Sequence, residues 1–159
     1  MATIFNAREI AETAVEKEIK RREFYVAVTE LSRNTEMKKL FEFLTTEEGR
    51  HVARFVELRD SLPIETRPEE YDAEMRAYMD SIVENSLYSN INSKDFVQEA
   101  IDTNEVFRLA ITLEKDAILF FWEFLQYVSE ADKKIVKALI EEEKGHIRML
   151  ANLRRELDR

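Results

Sequence analysis

Long stretches with a helical apolar period dominate this sequence, and the residues that usually form turns are almost absent from it. The chain has 159 residues but only two glycines and two prolines, while Glu, Lys, Arg, Leu and Ala are abundant. Because glycine and proline interrupt regular structure, their scarcity leaves room for few connections. The pattern therefore predicts an all-α fold of a few long helices in a single domain, residues 1–159.

Four long helices are predicted, at residues 6–32, 34–62, 102–128 and from 129 almost to the C-terminus. Asn6 and Glu9 have the spacing of a capping box at the first start, and Asp102 and Glu105 have it at the third. The second helix stops before Pro63. The turns inside each pair are very short, which predicts two antiparallel hairpins that form a four-helix bundle.

About 40 residues, 63–101, separate the two hairpins. This segment is polar and holds both prolines, yet a helical pattern returns at residues 73–86 and 94–100. A structureless loop of that length is unusual in a compact domain. We therefore expect a long, partly helical crossover.

The two hairpins resemble each other in sequence. VEKEIKRREFY (15–25) matches TLEKDAILFFW (112–122), and TEEGRHVARFVEL (46–58) matches EEKGHIRMLANL (142–153). Glu18 and Glu114 are 96 residues apart, and His51 and His146 are 95 apart. We interpret this as a duplicated hairpin. The alternative is a chance likeness between amphipathic helices of similar composition.

Charge and composition exclude several classes of function. A net charge of −9 argues against nucleic acid and against an anionic membrane surface as partners. The absence of cysteine excludes disulfides, thiolate metal sites and a catalytic thiol within this sequence. Neither a signal peptide nor an apolar run of membrane-spanning length is evident. The sequence therefore predicts a cytoplasmic protein.

Polar residues interrupt the apolar stripe of every long helix near its middle. Each stripe holds one glutamate, and the second and fourth helices add a histidine three residues later, on the same helical face. In a four-helix bundle, these side chains would converge at one level. The candidate metal ligands are Glu18, Glu48, His51, Glu114, Glu143 and His146.

Four buried carboxylates need positive charges beside them, because burying an isolated charge costs several kcal/mol of folding free energy even after relaxation. Among basic residues, Arg22 is the main candidate partner for Glu18, and the run formed by Lys17, Lys20, Arg21 and Arg22 otherwise suggests a solvated face. Two divalent cations would balance the four charges. Four glutamates and two histidines are the ligand set of a carboxylate-bridged dinuclear iron or manganese site. Either histidine alone would more simply be a hydrogen-bonded or surface residue.

These motifs resemble the rubrerythrin-like branch of the ferritin-like superfamily. A glutamate stands seven residues before an aromatic residue in Glu18–Tyr25 and in Glu114–Phe121, and E-x-x-H appears twice. The resemblance covers both hairpins and implies a ferritin-like bundle that holds two iron ions, with manganese or a mixed pair as alternatives. It also implies that Glu48 and Glu143 bridge the metals while Glu18 and Glu114 bind terminally. The activity implied is reduction of hydrogen peroxide or dioxygen.

The sequence departs from that family pattern in two ways. Rubrerythrins proper carry a rubredoxin domain with a four-cysteine iron, and this sequence has no cysteine, so a separate electron-donor protein is expected. Rubrerythrins also carry an extra glutamate one turn along the third helix, where this chain has Ala110, Ile111 and Ala117. That substitution weakens the expectation of efficient peroxidase activity more than the expectation of metal binding.

Several questions stay open at this level. Tyr25 is either a hydrogen-bonding residue beside the site or a core aromatic residue. The chain is a diiron oxidoreductase, a non-enzymatic iron-binding or iron-handling protein, or a purely structural bundle. We also expect a homodimer, because Phe24, Phe43 and Phe124 are predicted to leave an apolar outer face.

Overall fold

The protein is an all-helical bundle, as predicted. A computed structural model describes residues 7–62, 77, 81 and 88–158, and no strand occurs among them. The helices are α1 (Ala7–Leu31), α2 (Thr35–Ser61), α3 (Lys94–Asp102), α4 (Val106–Phe124) and α5 (Glu130–Leu157), with a 3₁₀ turn at Leu125–Tyr127. α1 packs along α2 and α4 along α5, and the two hairpins meet through the α1–α4 and α2–α5 contacts.

Side-chain caps fix two of the predicted helix starts. The Asn34 side chain accepts a hydrogen bond from the Met37 backbone N–H at the start of α2, and Ser129 accepts one from Asp132 at the start of α5. The α2 end at Ser61 is also within a residue of the prediction. The predicted cap at Asn6 lies outside the described residues.

The predicted start of the third long helix at Asp102 is wrong, because Asp102 ends the short helix α3. The backbone N–H of Asn104 donates to Ile101, and that of Glu105 donates to Ala100. Asn104 adopts a φ of 60°, so these bonds form a Schellman motif that terminates α3. α4 therefore begins only at Val106.

The crossover is helical where it is described near its end. α3 covers the predicted segment 94–100, and Ser93 caps it by accepting a hydrogen bond from the Phe96 N–H. The helical pattern predicted at 73–86 lies outside the described residues, apart from positions 77 and 81. Within the described part of the chain, no helix is both long and apolar enough to cross a membrane.

The core is divided into two apolar clusters with a polar layer between them. The first apolar cluster includes Phe24, Tyr25, Phe41, Phe107 and Leu150. The second apolar cluster includes Ala14, Phe55, Phe121, Phe124 and Leu139. The predicted mid-helix polar residues form the layer that separates the clusters.

The aromatic residues that suggested a homodimer are placed differently from the prediction. Phe24 and Phe124 are fully buried, because they pack inside the two clusters, whereas Phe43 is 41% exposed. Of these three aromatic residues, only Phe43 is therefore on the outer surface, and the homodimer stays a prediction.

Candidate metal centre

All four long helices contribute to one buried polar layer. α1 and α4 each supply one glutamate, and α2 and α5 each supply a glutamate and a histidine one turn apart. Every one of these side chains is buried, which is rare for ionisable groups without partners. The layer brings together all six residues that the sequence singled out: Glu18, Glu48, His51, Glu114, Glu143 and His146.

The six residues form two overlapping groups, in each of which the candidate ligand atoms lie within 4.8 Å of one another. One group consists of Glu18, Glu48, His51 and Glu143, and the other of Glu48, Glu114, Glu143 and His146. Glu48 and Glu143 belong to both groups. This geometry suits two adjacent cations that share two carboxylates, each with one further glutamate and one histidine.

Both histidines direct the Nδ1 atom into the layer. His51 Nδ1 lies 2.5 Å from Glu143 Oε1, and His146 Nδ1 lies 3.4 Å from Glu48 Oε1. The two imidazole rings are nearly parallel, with centroids 5.7 Å apart and an angle of 18° between the planes. The rings thus stand side by side and leave their Nδ1 atoms available to neighbouring ligand positions.

Arg21 lies inside the layer, which corrects the prediction that it belongs to a solvated face. Its guanidinium is fully buried, hydrogen-bonds to Glu18 Oε1 and lies 3.1 Å from Glu48 Oε2. Arg22, predicted as the main basic partner of Glu18, is exposed instead. The reason is the helical period: Arg21 follows Glu18 by three residues and shares its face, whereas Arg22 is turned away.

A buried polar network continues from Arg21 toward the protein surface. Arg21 Nη1 lies 3.4 Å from the Tyr88 hydroxyl, which donates to Asp116 Oδ2 over 2.7 Å. Lys17 donates to the same oxygen over 3.2 Å and is almost fully buried, so its assignment to a solvated face is also wrong. Its ammonium lies over the Phe120 ring, 4.9 Å from the centroid.

Tyr25 contacts the layer from α1. Its hydroxyl donates a hydrogen bond of 2.6 Å to Glu114 Oε1, and its ring packs edge-on against Phe41. Burial, together with the nearby Glu48 charge, raises the pKa of Tyr25 well above its ordinary value. The phenol therefore stays protonated and remains a donor, while Phe121, its counterpart in the repeat, has no hydroxyl.

Glu142 holds His51 from the outer side, a contact that the sequence did not indicate. Glu142 Oε2 lies 2.7 Å from His51 Nε2 and accepts a hydrogen bond of 2.9 Å from Arg50. A carboxylate on the outer nitrogen of an imidazole fixes the ring and increases its basicity as a ligand. The helical period places Glu142 beside the core face rather than on it, which is why the apolar stripe did not assign it to the site.

The two carboxylates that Arg21 contacts have pKa values shifted in opposite directions. Burial raises the pKa of Glu18 well above its ordinary value, in spite of the guanidinium beside it. Burial acts in the same sense on Glu48, but Arg21 and hydrogen bonds from Glu18 and the histidines hold the pKa of Glu48 well below its ordinary value. Without metal, the two carboxylates therefore titrate as a coupled pair.

The carboxylates keep both histidines protonated when no metal is bound. Burial lowers the pKa of His51, but its contacts with Glu143 and Glu48 outweigh burial and raise that pKa to about 11. Burial also lowers the pKa of His146, but its contacts with Glu143 and Glu48 outweigh burial and raise that pKa to about 10. Metal ions must therefore displace these protons, since only a neutral imidazole binds a metal.

The metal-free protein should become less stable as the pH rises from about 6.5 to 9. The histidine pKa values in the folded chain lie above the unfolded value of 6.5, so the folded chain holds more protons in this range. The stabilisation is complete below pH 6.5 and is lost as the pH passes through about 10 to 11. Urea unfolding of the apo protein measures it, with a His51→Ala, His146→Ala double variant as control. If the stability of the apo protein rose with pH over this range, the conclusion that both histidines are protonated in the folded chain would be contradicted.

Buried polar atoms without a hydrogen bond show whether these residues could serve as metal ligands. Among the described residues, the buried side-chain atoms without a hydrogen-bond partner include at least one from each of the six candidates: Glu18 Oε2, Glu48 Oε1, His51 Nδ1, Glu114 Oε2, both carboxylate oxygens of Glu143, and His146 Nδ1. An unsatisfied buried polar atom costs about 1–3 kcal/mol, so bound cations that accept these atoms as ligands would remove this cost. Oxygen and imidazole donors suit iron or manganese. The donor set therefore fits a dinuclear metal site.

A four-helix bundle with two carboxylate–histidine halves around a shared pair of glutamates defines the class of dinuclear carboxylate proteins. Family comparison narrows this class. The sequence model of the rubrerythrin family matches residues 9–154, and the chain therefore belongs to the rubrerythrin family. Membership in this ferritin-like family implies a dinuclear metal site.

A solved structure agrees with the assignment of the fold. The chain is similar to a candidate ferritin-like diiron-carboxylate protein from Thermotoga maritima, with a TM-score of 0.70 and 24% identity. The match covers 98% of this chain and 99% of the other. At this identity the likeness establishes the ferritin-like fold alone. No curated protein has significant sequence similarity to the chain.

Proposed function

We propose that this protein holds two iron ions and reduces hydrogen peroxide or dioxygen with electrons from a separate donor protein. The observation that supports this most directly is the pair of overlapping ligand groups, which share Glu48 and Glu143 and contain unpaired buried atoms. Glu48 and Glu143 would bridge the metals. Glu18 with His51, and Glu114 with His146, would complete the two halves.

The protein's own residues would prepare the site for this reaction. Bound iron supplies the electrons and the Lewis acidity that peroxide or dioxygen reduction requires. Tyr25 and Arg21 each hold one oxygen of a terminal glutamate, so the other oxygen of Glu114 and of Glu18 faces the metal positions. The apolar clusters on both sides exclude bulk water from the layer.

A second candidate function is iron binding or handling without turnover. Its support is the lack of a carboxylate one turn from Glu114, where Ala110 and Ala117 are buried against the layer. Asp116 does not replace it, because its side chain contacts Tyr88 and Lys17 instead. Binding needs only the six ligands, whereas peroxidase activity in the family is associated with the extra glutamate.

Anaerobic iron loading followed by hydrogen peroxide distinguishes these functions. Loading about two Fe²⁺ per chain and adding peroxide should give rapid oxidation followed by re-reduction and repeated turnover with an added reductant. Each turnover consumes one peroxide, two electrons and two protons and yields two waters. A single slow oxidation without turnover would favour iron handling. Metal content well below one ion per chain, unchanged in a His51→Ala, His146→Ala variant, would contradict both functions.

Replacing Tyr25 with phenylalanine should lower metal affinity about tenfold while leaving the fold intact, because residues that hold metal ligands typically contribute 10–100-fold. Glu114 Oε1 would lose its donor, whereas the ring would keep its contact with Phe41. Mn²⁺ binding measures this effect. Tyr88→Phe is the matched control, since Tyr88 bonds to no candidate ligand carboxylate among the hydrogen bonds of the described residues. If the two variants lowered Mn²⁺ affinity equally, Tyr25 would have no specific role in holding Glu114 for the metal.

The proposal also covers the electron donor, the compartment and the oligomeric state. The electron donor is proposed as a separate protein because this sequence contains no cysteine for a second iron centre. The protein is proposed to act in the cytoplasm and as a homodimer. Fractionation of the source cells tests the first of these, and sedimentation of the purified protein tests the second.

A further inference from the structure

The two halves of the metal centre differ in the charge that supports them. In the half formed by Glu18 and His51, the terminal carboxylate is bound by the buried Arg21 guanidinium. In the half formed by Glu114 and His146, the terminal carboxylate accepts its hydrogen bond from the neutral Tyr25 hydroxyl. Each donor occupies one oxygen and leaves the other unpaired. The geometry of the two halves is thus similar, but only one contains a fixed positive charge.

Both supporting residues come from α1, and the repeat offers no equivalents. With the offset that relates Glu18 to Glu114, Arg21 corresponds to Ala117 and Tyr25 corresponds to Phe121. Ala117 is buried and has no polar side-chain atom. The asymmetry is therefore built into the sequence and does not depend on how one side chain is oriented.

From this arrangement we infer that the centre fills in a fixed order, with the Glu114–His146 half binding its metal ion first and more tightly than the Glu18–His51 half. The inference rests on the proposed dinuclear site and specifies how that site loads. A divalent cation in the Glu18–His51 half must either lie beside the guanidinium or displace it from Glu18 and Glu48. Either way the ion pair between Arg21 and Glu18 is weakened, whereas the terminal carboxylate of the other half, Glu114, is held by the neutral Tyr25 hydroxyl.

The contact between Glu142 and His51 favours metal binding in the Glu18–His51 half, but its effect is weaker than that of Arg21. Glu142 on the outer nitrogen of His51 favours a metal at that histidine. Its side chain is 36% exposed, however, and it shares its charge with Arg50 over 2.9 Å. Solvent and a competing cation therefore reduce its influence. Arg21 is fully buried and touches two candidate ligands directly, so its effect should dominate.

Mn²⁺ titration of the full-length apo protein tests the order, with unbound Mn²⁺ counted from its electron paramagnetic resonance signal. In the native background, His146→Ala should weaken the first binding step at least about tenfold, as is usual for loss of a metal contact. His51→Ala should leave the first step within about threefold and weaken the second. Larger weakening of the first step by His51→Ala, or equal effects of the two variants, would overturn the inference.

Removal of the fixed charge should abolish the preference. In an Arg21→Met background, the two histidine variants should weaken the first step equally, within about threefold. Tyr88→Phe keeps the charge of Arg21 and removes only its outer partner, so the preference should persist in that background. Loss of the preference with Tyr88→Phe alone would overturn its assignment to the Arg21 charge. If Arg21→Met does not fold, the comparison of His51→Ala with His146→Ala still decides the order.

The outcomes also separate this inference from the proposed function. Two Mn²⁺ ions with no preference between the halves would overturn the order and leave the dinuclear site intact. If the native protein binds only one Mn²⁺ ion, and this ion is lost with His146→Ala but not with His51→Ala, the Glu114–His146 half is the tighter one. That result would support the inferred preference and contradict the dinuclear function. Absence of Mn²⁺ binding would overturn both.

Discussion

Glu143→Ala should remove both metal ions from the protein, whereas loss of a terminal ligand should mainly affect one. Glu143 belongs to both ligand groups, with Oε1 lying 2.5 Å from His51 Nδ1 and Oε2 lying 3.5 Å from His146 Nδ1. Without it, each remaining group keeps only three protein ligands and loses a shared negative charge. We expect the metal content to fall from about two ions per chain to near zero, measured by elemental analysis after desalting.

Glu141→Ala is the matched control on the same helix. Glu141 is exposed and its partner is Lys144, so its loss should leave the metal content unchanged. The apo form of Glu143→Ala should be less stable than the native apo protein, because His51 loses the buried carboxylate that lies 2.5 Å from its Nδ1. A variant that keeps both metals would exclude Glu143 as a shared ligand, and one that unfolds would show that Glu143 supports the fold instead.

Arg21→Met should destabilise the metal-free protein by about 3 kcal/mol, since removing one partner of a buried ion pair typically costs about 3–5 kcal/mol and protonation of Glu48, whose pKa Arg21 holds low, offsets part of this. Arg21 is fully buried and contacts both Glu18 and Glu48. Methionine retains much of the aliphatic volume, so the loss reflects the charge and its hydrogen bonds. Urea unfolding of the apo protein at neutral pH measures the effect.

Arg22→Met provides the same chemical change on the exposed neighbour. Its effect should stay within about 0.5 kcal/mol, as is usual for a surface substitution away from special features. Metal-loaded Arg21→Met should lose less stability than the apo form, because bound cations then neutralise the carboxylates. Equal losses for Arg21→Met and Arg22→Met would mean that the buried ion pair does not stabilise the apo protein.

The sequence was sufficient to predict the bundle and to place six buried polar residues at one level. This succeeded because α-helical geometry has a fixed period, so Glu48 and His51 must share a face, and short turns force neighbouring helices to be antiparallel. The asparagine and serine caps were predictable for a similar local reason. The end of α3 was not, because the left-handed conformation of Asn104 depends on where the chain must turn next.

The residues that contact the candidate ligands were much less predictable from the sequence than the ligands themselves. Arg21 lies on the face of Glu18, and that spacing was a usable signal, but four basic residues within six positions suggested a solvated surface instead. Lys17 is buried against Asp116 and Phe120, which come from another helix. Tyr88 comes from the crossover, whose path the helical period cannot determine. Such contacts arise from tertiary packing rather than from local pattern.

The two apolar clusters have a consequence for the route by which small molecules reach the centre. Aromatic pairs close the bundle axis on both sides of the polar layer: Tyr25 with Phe41 on one side, 5.5 Å between centroids, and Phe55 with Phe121 on the other, 4.9 Å apart. Travel along the axis would require close-packed rings to separate. A small molecule that reaches the layer without separating these rings would have to pass between helices, and Glu142, whose side chain is 36% exposed, lies at one such place beside His51. The diffusion barrier is then governed by the helix faces rather than by the ends of the bundle.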